Sequence, residues 1–253
     1  MGTSVSQPSP RSKEWREVKS EYLIPNLEIQ PLIGKIVHAI GPDPEKILVD
    51  EAVSEVLCQS LEFIKETSKE GNKFIEKSNN PYFKFISVGL NITKESLVEN
   101  KLNSLYGEVA VLGAGEIFIE TVGKASQDKS KDYKELIADI NGYIEENKGI
   151  QDIGLKFIEK YYARMLKYYI SRDIDAYIGN MNFPTISSEN DLFDSIDIKL
   201  DGLFKKINLR EEAIVLEANL KQKGLNRKKT KKTIESVIRK VNKEFYEREG
   251  DDE

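Results

Sequence analysis

Apolar side chains recur at three- and four-residue intervals along most of the 253-residue chain, and the pattern predicts an all-α protein. After Ser12, a candidate N-cap, Trp15, Val18 and Tyr22 lie at helical spacing with Lys19 and predict a short helix over 13–23. Pro25 and Pro31 interrupt, and Leu32 to Ile40 reads as a second helix stopped by Gly41 and Pro42. Asp43 and Pro44 form a helix start, and Ile47, Leu48, Val53, Val56, Leu57, Leu61 and Ile64 carry that helix to about Thr67. Residues 69–93 are undecided: Asn79-Asn80-Pro81 makes a turn, and Tyr82 to Leu90 fits either a strand or a short helix.

Residues 95–126 contain Val109-Ala-Val-Leu-Gly-Ala-Gly115, which looks like the strand and glycine turn of a dinucleotide site. The third glycine of that motif would fall at Phe118. Val98, Leu102, Leu105, Val109, Leu112 and Ile119 instead keep helical spacing through the glycines, which predicts one buried helix and no cofactor. After a polar loop, a helix is expected near 132–147, closed by Gly149. The strongest periodicity follows over 151–178. One stripe runs Leu155, Ile158, Tyr162, Met165, Tyr169, Arg172 and Ala176, with Ile153, Phe157, Tyr161 and Tyr168 beside it, which places this helix at the bundle centre. Arg172 on that face requires a carboxylate, which Asp173, Asp175 or an acidic residue of another helix can supply, and Arg172 with Asp173 is named as the structural ion pair. Helices over 191–204 and 209–222 follow, and a last one carries Ile234, Val237, Ile238, Val241 and Phe245. The expected organisation is a polar, disordered tail (1–12), a single helical bundle (13–223) and a C-terminal amphipathic helix with an acidic end (224–253).

Composition narrows the chemistry. A net charge of −5 argues against a globally nucleic-acid-binding protein. The exception is local: Lys221, Lys223, Arg227, Lys228, Lys229, Lys231 and Lys232 follow one another without an acid, and Lys228, Lys229, Lys231 and Lys232 are the candidate phosphate contacts. Cys58 is the only cysteine, so no intrachain disulfide forms, and a reducing cytoplasm is the expected setting. Cys58 and His38, the only histidine, are the one drawable nucleophile–base pair, but a packed cysteine explains position 58 better. Asp191, Asp194, Asp197 and Asp201 share a helix face without a loop to wrap a cation, so a solvated acidic face is expected there and no metal. No catalytic constellation, cofactor motif or ~20-residue apolar run emerges.

The tail itself carries chemistry. Removal of Met1 would leave an unhindered α-amine on Gly2. Gly2 and Ser6 fit the myristoylation pattern, with Arg11, Lys13, Arg16 and Lys19 as a basic second signal, but that modification is essentially eukaryotic. The start Met1-Gly2-Thr3-Ser4, followed by a Ser/Pro-rich stretch, resembles bacterial proteins similar to the QatB component of Qat anti-phage defence systems. The segment Tyr168-Tyr-Ile-Ser-Arg-Asp-Ile-Asp-Ala-Tyr-Ile-Gly179 resembles the same group. The resemblance implies a non-enzymatic subunit working with an ATPase, a QueC-like enzyme and a TatD-like nuclease. It further implies that the QueC-like enzyme attaches a deazapurine to Gly2 through an amide, with Thr3 and Ser4 as recognition context.

Overall fold

The computed structural model describes residues 13–40, 49–123, 132–221 and 226–249. Among them the chain is all-α, as the periodicity predicts, with eleven α-helices and no strand. In order they are α1 (Lys13–Glu21), α2 (Ile29–Ile40), α3 (Glu51–Glu70), the one-turn α4 (Lys73–Glu76), α5 (Pro81–Glu99), α6 (Leu105–Val122), α7 (Tyr133–Glu146), α8 (Ile150–Ile174), α9 (Ile186–Lys206), α10 (Arg210–Lys221) and α11 (Arg227–Glu249). A 3₁₀ turn, Asp175–Tyr177, extends α8. The proposed tail 1–12, the Asp43–Pro44 helix start and the loop before Asp132 lie outside the described residues.

Helix starts follow the side chains that can satisfy free backbone N–H groups. Asp50 accepts from the amides of Ala52 and Val53 to open α3, Asn72 caps α4, and Asn80 caps α5 with Pro81 at its first position. The undecided stretch 69–93 is therefore helical, with two Asn-capped starts in place of a strand. Asp132 and Glu135 form a reciprocal capping box on α7. Residues 95–126 are not one helix: Asn100 ends α5, Lys101 adopts φ +55, and Ser104 caps α6. The face assigned to that helix also needs correction. Val98, Leu112 and Ile119 are exposed, whereas Ala110, Gly113, Ala114, Ile117, Phe118 and Thr121 are buried. Because α6 is apolar on nearly every side, periodicity alone could not select its inner face.

Contacts group the helices into two compact units. The first takes residues 13–40, 162–208 and 235–249; the second takes 49–123, 132–161, 209–221 and 226–234. Each of α8 and α11 contributes to both, and the C-terminal amphipathic helix supplies core residues to each unit. In the second unit α3, α5 and α6 pack pairwise around Phe63, Phe85 and Phe118, whose ring centroids lie 4.9–5.9 Å apart. Gly113 of α6 faces the α8 backbone, where a Cβ would stand at ordinary van der Waals distance, 3.4 Å, from the Tyr161 amide nitrogen. In the first unit α2 packs on α1 and α9, and the Tyr162 hydroxyl donates to Asn242 at 2.5 Å. Among the described residues, no helix is long and apolar enough to cross a membrane.

Two glycine substitutions should have opposite signs. A Cβ at Gly89 would fall 2.8 Å from atoms of both Phe63 and Phe118, so Gly89→Ala should destabilise by about 1–3 kcal/mol. Gly142, inside α7, has nothing within 4 Å of a Cβ, and Gly142→Ala should stabilise by about 0.5–1 kcal/mol. Urea unfolding of the two variants beside wild type measures both.

Candidate functional site: the mounting of helix α1

Helix α1 has nine residues, too few to persist alone in water. Its position depends on what Trp15, Val18 and the following Tyr22 bury, and all three are fully enclosed. The segment 168–179 receives them. Trp15 Nε1 donates to Asp173 Oδ2, Lys19 Nζ lies 3.5 Å from Asp173 Oδ1, and Arg172 Nη2 lies 3.3 Å from Asp173 Oδ2. One carboxylate thus takes an indole N–H and two cations. The Arg172 guanidinium also stacks 4.7 Å from the Trp15 ring centroid and 5.7 Å from that of Tyr169. These arrangements balance the cost of half-burying an arginine, because charge pairing and cation–π attraction both strengthen away from water.

Tyr22 completes the mounting. Its ring meets Tyr177 edge-on at 5.2 Å and Phe183 at 5.7 Å. Burial, with the Asp173 carboxylate nearby, pushes its phenol far above the usual tyrosine range. The buried hydroxyl reaches no hydrogen-bond partner among the described residues. At the other side of α1, Glu21 pairs with Lys35 of α2 at 2.5 Å.

Two loops meet behind Tyr22. Asn182 Nδ2 donates to the carbonyls of Tyr22 (2.9 Å) and Ile24 (2.6 Å), while Asn180 Oδ1 accepts from the amides of Asn182 and Phe183 at 2.9 Å each. Gly179, at φ +96, makes the turn that lets its amide donate to the Phe183 carbonyl at 2.6 Å. Sequence reading pointed to Arg172 and Asp173. It read Trp15 as a helix residue at apolar spacing, and Trp15 is indeed buried, but it missed the bond to Asp173, 158 positions away, and the asparagine pair, whose only signal was a cluster of turn residues.

The other candidates sit as follows. Gly2, Thr3 and Ser4 lie outside the described residues. Lys228, Lys229 and Lys232 are exposed on the first turns of α11, and Lys231 is half-buried. Arg227, its side chain 41% exposed, reaches Glu55 with its Nε; Glu55 is only 1% exposed and also accepts from Ser96, Gln59 (3.1 Å) and Asn100 (3.4 Å). Cys58 is buried with its Sγ 3.3 Å from Thr230 Oγ1, and burial pushes its thiol up to about 12, so at neutral pH it is neither ionised nor nucleophilic. His38 is exposed. In the aspartate row, Asp197 pairs with Lys167 and Asp201 with Lys205, each at 2.6 Å. Among the described residues, no three His, Cys, Asp or Glu side chains gather as metal ligands would.

Comparison with protein families, with characterised proteins and with solved structures gives no match.

The mounting predicts a contrast between two substitutions. Asp173→Ala strands two partly buried cations and an indole N–H, and should cost about 2–4 kcal/mol. Tyr22→Phe removes a buried hydroxyl without a partner and should be neutral or stabilising by up to about 1 kcal/mol. Thermal and urea unfolding would show whether the two variants move in these different directions.

Proposed function

We propose that this chain is a non-enzymatic component of a bacterial anti-phage defence system, acting in the cytoplasm, that presents Gly2 to a QueC-like partner enzyme for covalent modification. Met1 is removed, and the free α-amine of Gly2 attacks a deazapurine carboxylate that the enzyme has activated with a nucleoside triphosphate as an acyl phosphate ester. The C–N amide bond forms as the acyl–oxygen bond to phosphate breaks, the phosphate group leaves and the amine's proton passes to solvent. Thr3 and Ser4 serve as recognition context. The helical body binds other subunits, an ATPase and a TatD-like nuclease among them.

The observation that carries this reading is the pairing of its two sequence likenesses. The segment 168–179 is the seat of α1, the helix directly behind residues 1–12: Tyr169, Arg172, Asp173 and Tyr177 hold Trp15, Lys19 and Tyr22. Two stretches far apart in sequence are thus joined physically, and that supports reading α1 as a base for presentation of Gly2. Intact-mass spectrometry of the chain co-expressed with the genes beside it should show added mass on Gly2. Gly2→Ala, whose methyl group crowds the amine, should lose most of it. A plain des-Met mass in the presence of the active QueC-like enzyme would defeat the proposal.

A second reading uses the start of α11. With Arg227 held by Glu55, the exposed Lys228, Lys229 and Lys232 form a cationic helix start suited to phosphates, making the chain a nucleic-acid-binding adaptor. On that reading the protein binds DNA or RNA in a salt-dependent manner. Charge reversal at Lys228, Lys229, Lys231 and Lys232 should lower the affinity at least tenfold and flatten the salt dependence. Binding that ignores both salt and reversal excludes this role.

A further inference from the structure

Beside the seat of α1, the loop 22–28 and the loop 178–184 enclose an open groove of about 420 Å³ against the start of α9. Leu27, Phe183, Pro184 and Leu192 supply its apolar lining. Three large apolar side chains of the same two loops stand in water: Met181 is 76% exposed, Leu23 61% and Ile24 46%. Slack loops do not account for this display. The Asn182 amide ties the two loops through the Tyr22 and Ile24 carbonyls, and Tyr22 and Phe183 are locked ring to ring beneath them. Exposed apolar side chains held on a braced scaffold are characteristic of a surface that another protein covers.

The charge around the groove specifies the occupant. Asp191 lines it and is exposed, Glu28 follows the lining Leu27 and is exposed, and among the described residues no lysine or arginine lines it. A partner that fits inserts an apolar side chain flanked by Lys or Arg. Distance then links the groove to the N-terminus. Helix α1 spans only about 13 Å between Lys13 and Glu21, and Leu23 lies two residues beyond. The eleven residue steps from Gly2 to Lys13 reach at most about 38 Å. An enzyme seated on the groove therefore stands within reach of Gly2.

We infer that this groove is the docking surface for the enzyme that takes Gly2, a protein partner with a basic-flanked apolar anchor. The inference rests on the function proposed above. Docking raises the effective concentration of the amine at the active site, so it governs modification when enzyme is limiting.

The test uses the full-length chain co-expressed with the proteins encoded beside it. A benzophenone amino acid placed at Met181 should crosslink to the QueC-like enzyme, identified by peptide mass mapping. Met181→Glu and Leu23→Glu should each cut the Gly2-modified fraction at least tenfold at limiting enzyme, while Phe74→Glu, equally exposed in the other unit, leaves it unchanged. Circular dichroism melts matching wild type show that the variants fold. Because the two replaced side chains project from different loops, either one alone suffices. Unchanged modification in both variants overturns the docking surface and leaves the role of Gly2 intact. A crosslink only to a second copy of this chain, with a dimer mass in light scattering, also overturns it. If wild-type Gly2 carries no added mass, the functional reading falls. The docking surface then stands only if Met181 still crosslinks to the QueC-like enzyme and Leu23→Glu abolishes that product; no crosslink, or one to another protein, overturns it.

Discussion

Helix α8 carries apolar residues on a wide face, and a face of that kind must be enclosed. Its buried positions, Ile153, Phe157, Ile158, Tyr161, Tyr162, Met165, Leu166, Tyr169 and Ile170, point in several directions and therefore need several neighbours. In the second unit it meets α6 where Gly113 faces Lys160 and Tyr161. In the first unit its last turns carry Tyr169, Arg172 and Asp173 to α1. A short amphipathic helix such as α1 has no independent stability, so its place in the fold derives from this partner.

The polar contacts are concentrated at a few points where burial would otherwise be costly. Asp173 gathers Trp15, Lys19 and Arg172; Glu55 gathers Ser96, Gln59, Asn100 and Arg227. In both cases a carboxylate with little solvent is given several donors from different helices, which satisfies its oxygens and fixes the directions from which those helices approach. The Glu55 cluster joins α3, α5 and α11, and the Asp173 cluster joins α8 and α1.

Much of this was legible in the sequence, and the failures have physical reasons. Helices with one clear apolar stripe, such as α9 with Leu192, Ile196, Leu200 and Leu203, could be read from spacing alone. The need of Arg172 for a carboxylate was equally readable, because charge burial is a local demand. Helix α6 defeated the method, since Leu112 and Ile119 are as apolar as the residues that face inward. The break at 100–104 carries no proline or glycine to announce it; Lys101 simply adopts a left-handed backbone there. Partners such as Trp15 for Asp173, or Arg227 for Glu55, are separated by well over a hundred residues and leave no trace in periodicity. The loop brace made by Asn180 and Asn182 reads in sequence only as turn composition, because its acceptors are backbone carbonyls.

The pairing of Arg227 with the buried Glu55 has a consequence for how the chain meets polyanions. Binding to a charged polymer is driven by the release of small ions, in proportion to the cations that actually reach phosphates. A guanidinium already neutralised by Glu55 releases none, so the start of α11 acts electrostatically as a smaller body than its run of basic letters suggests. Three fully exposed lysines would give a logarithmic salt dependence of only about −2 to −3. Attraction of that size brings a partner near and lets it leave again.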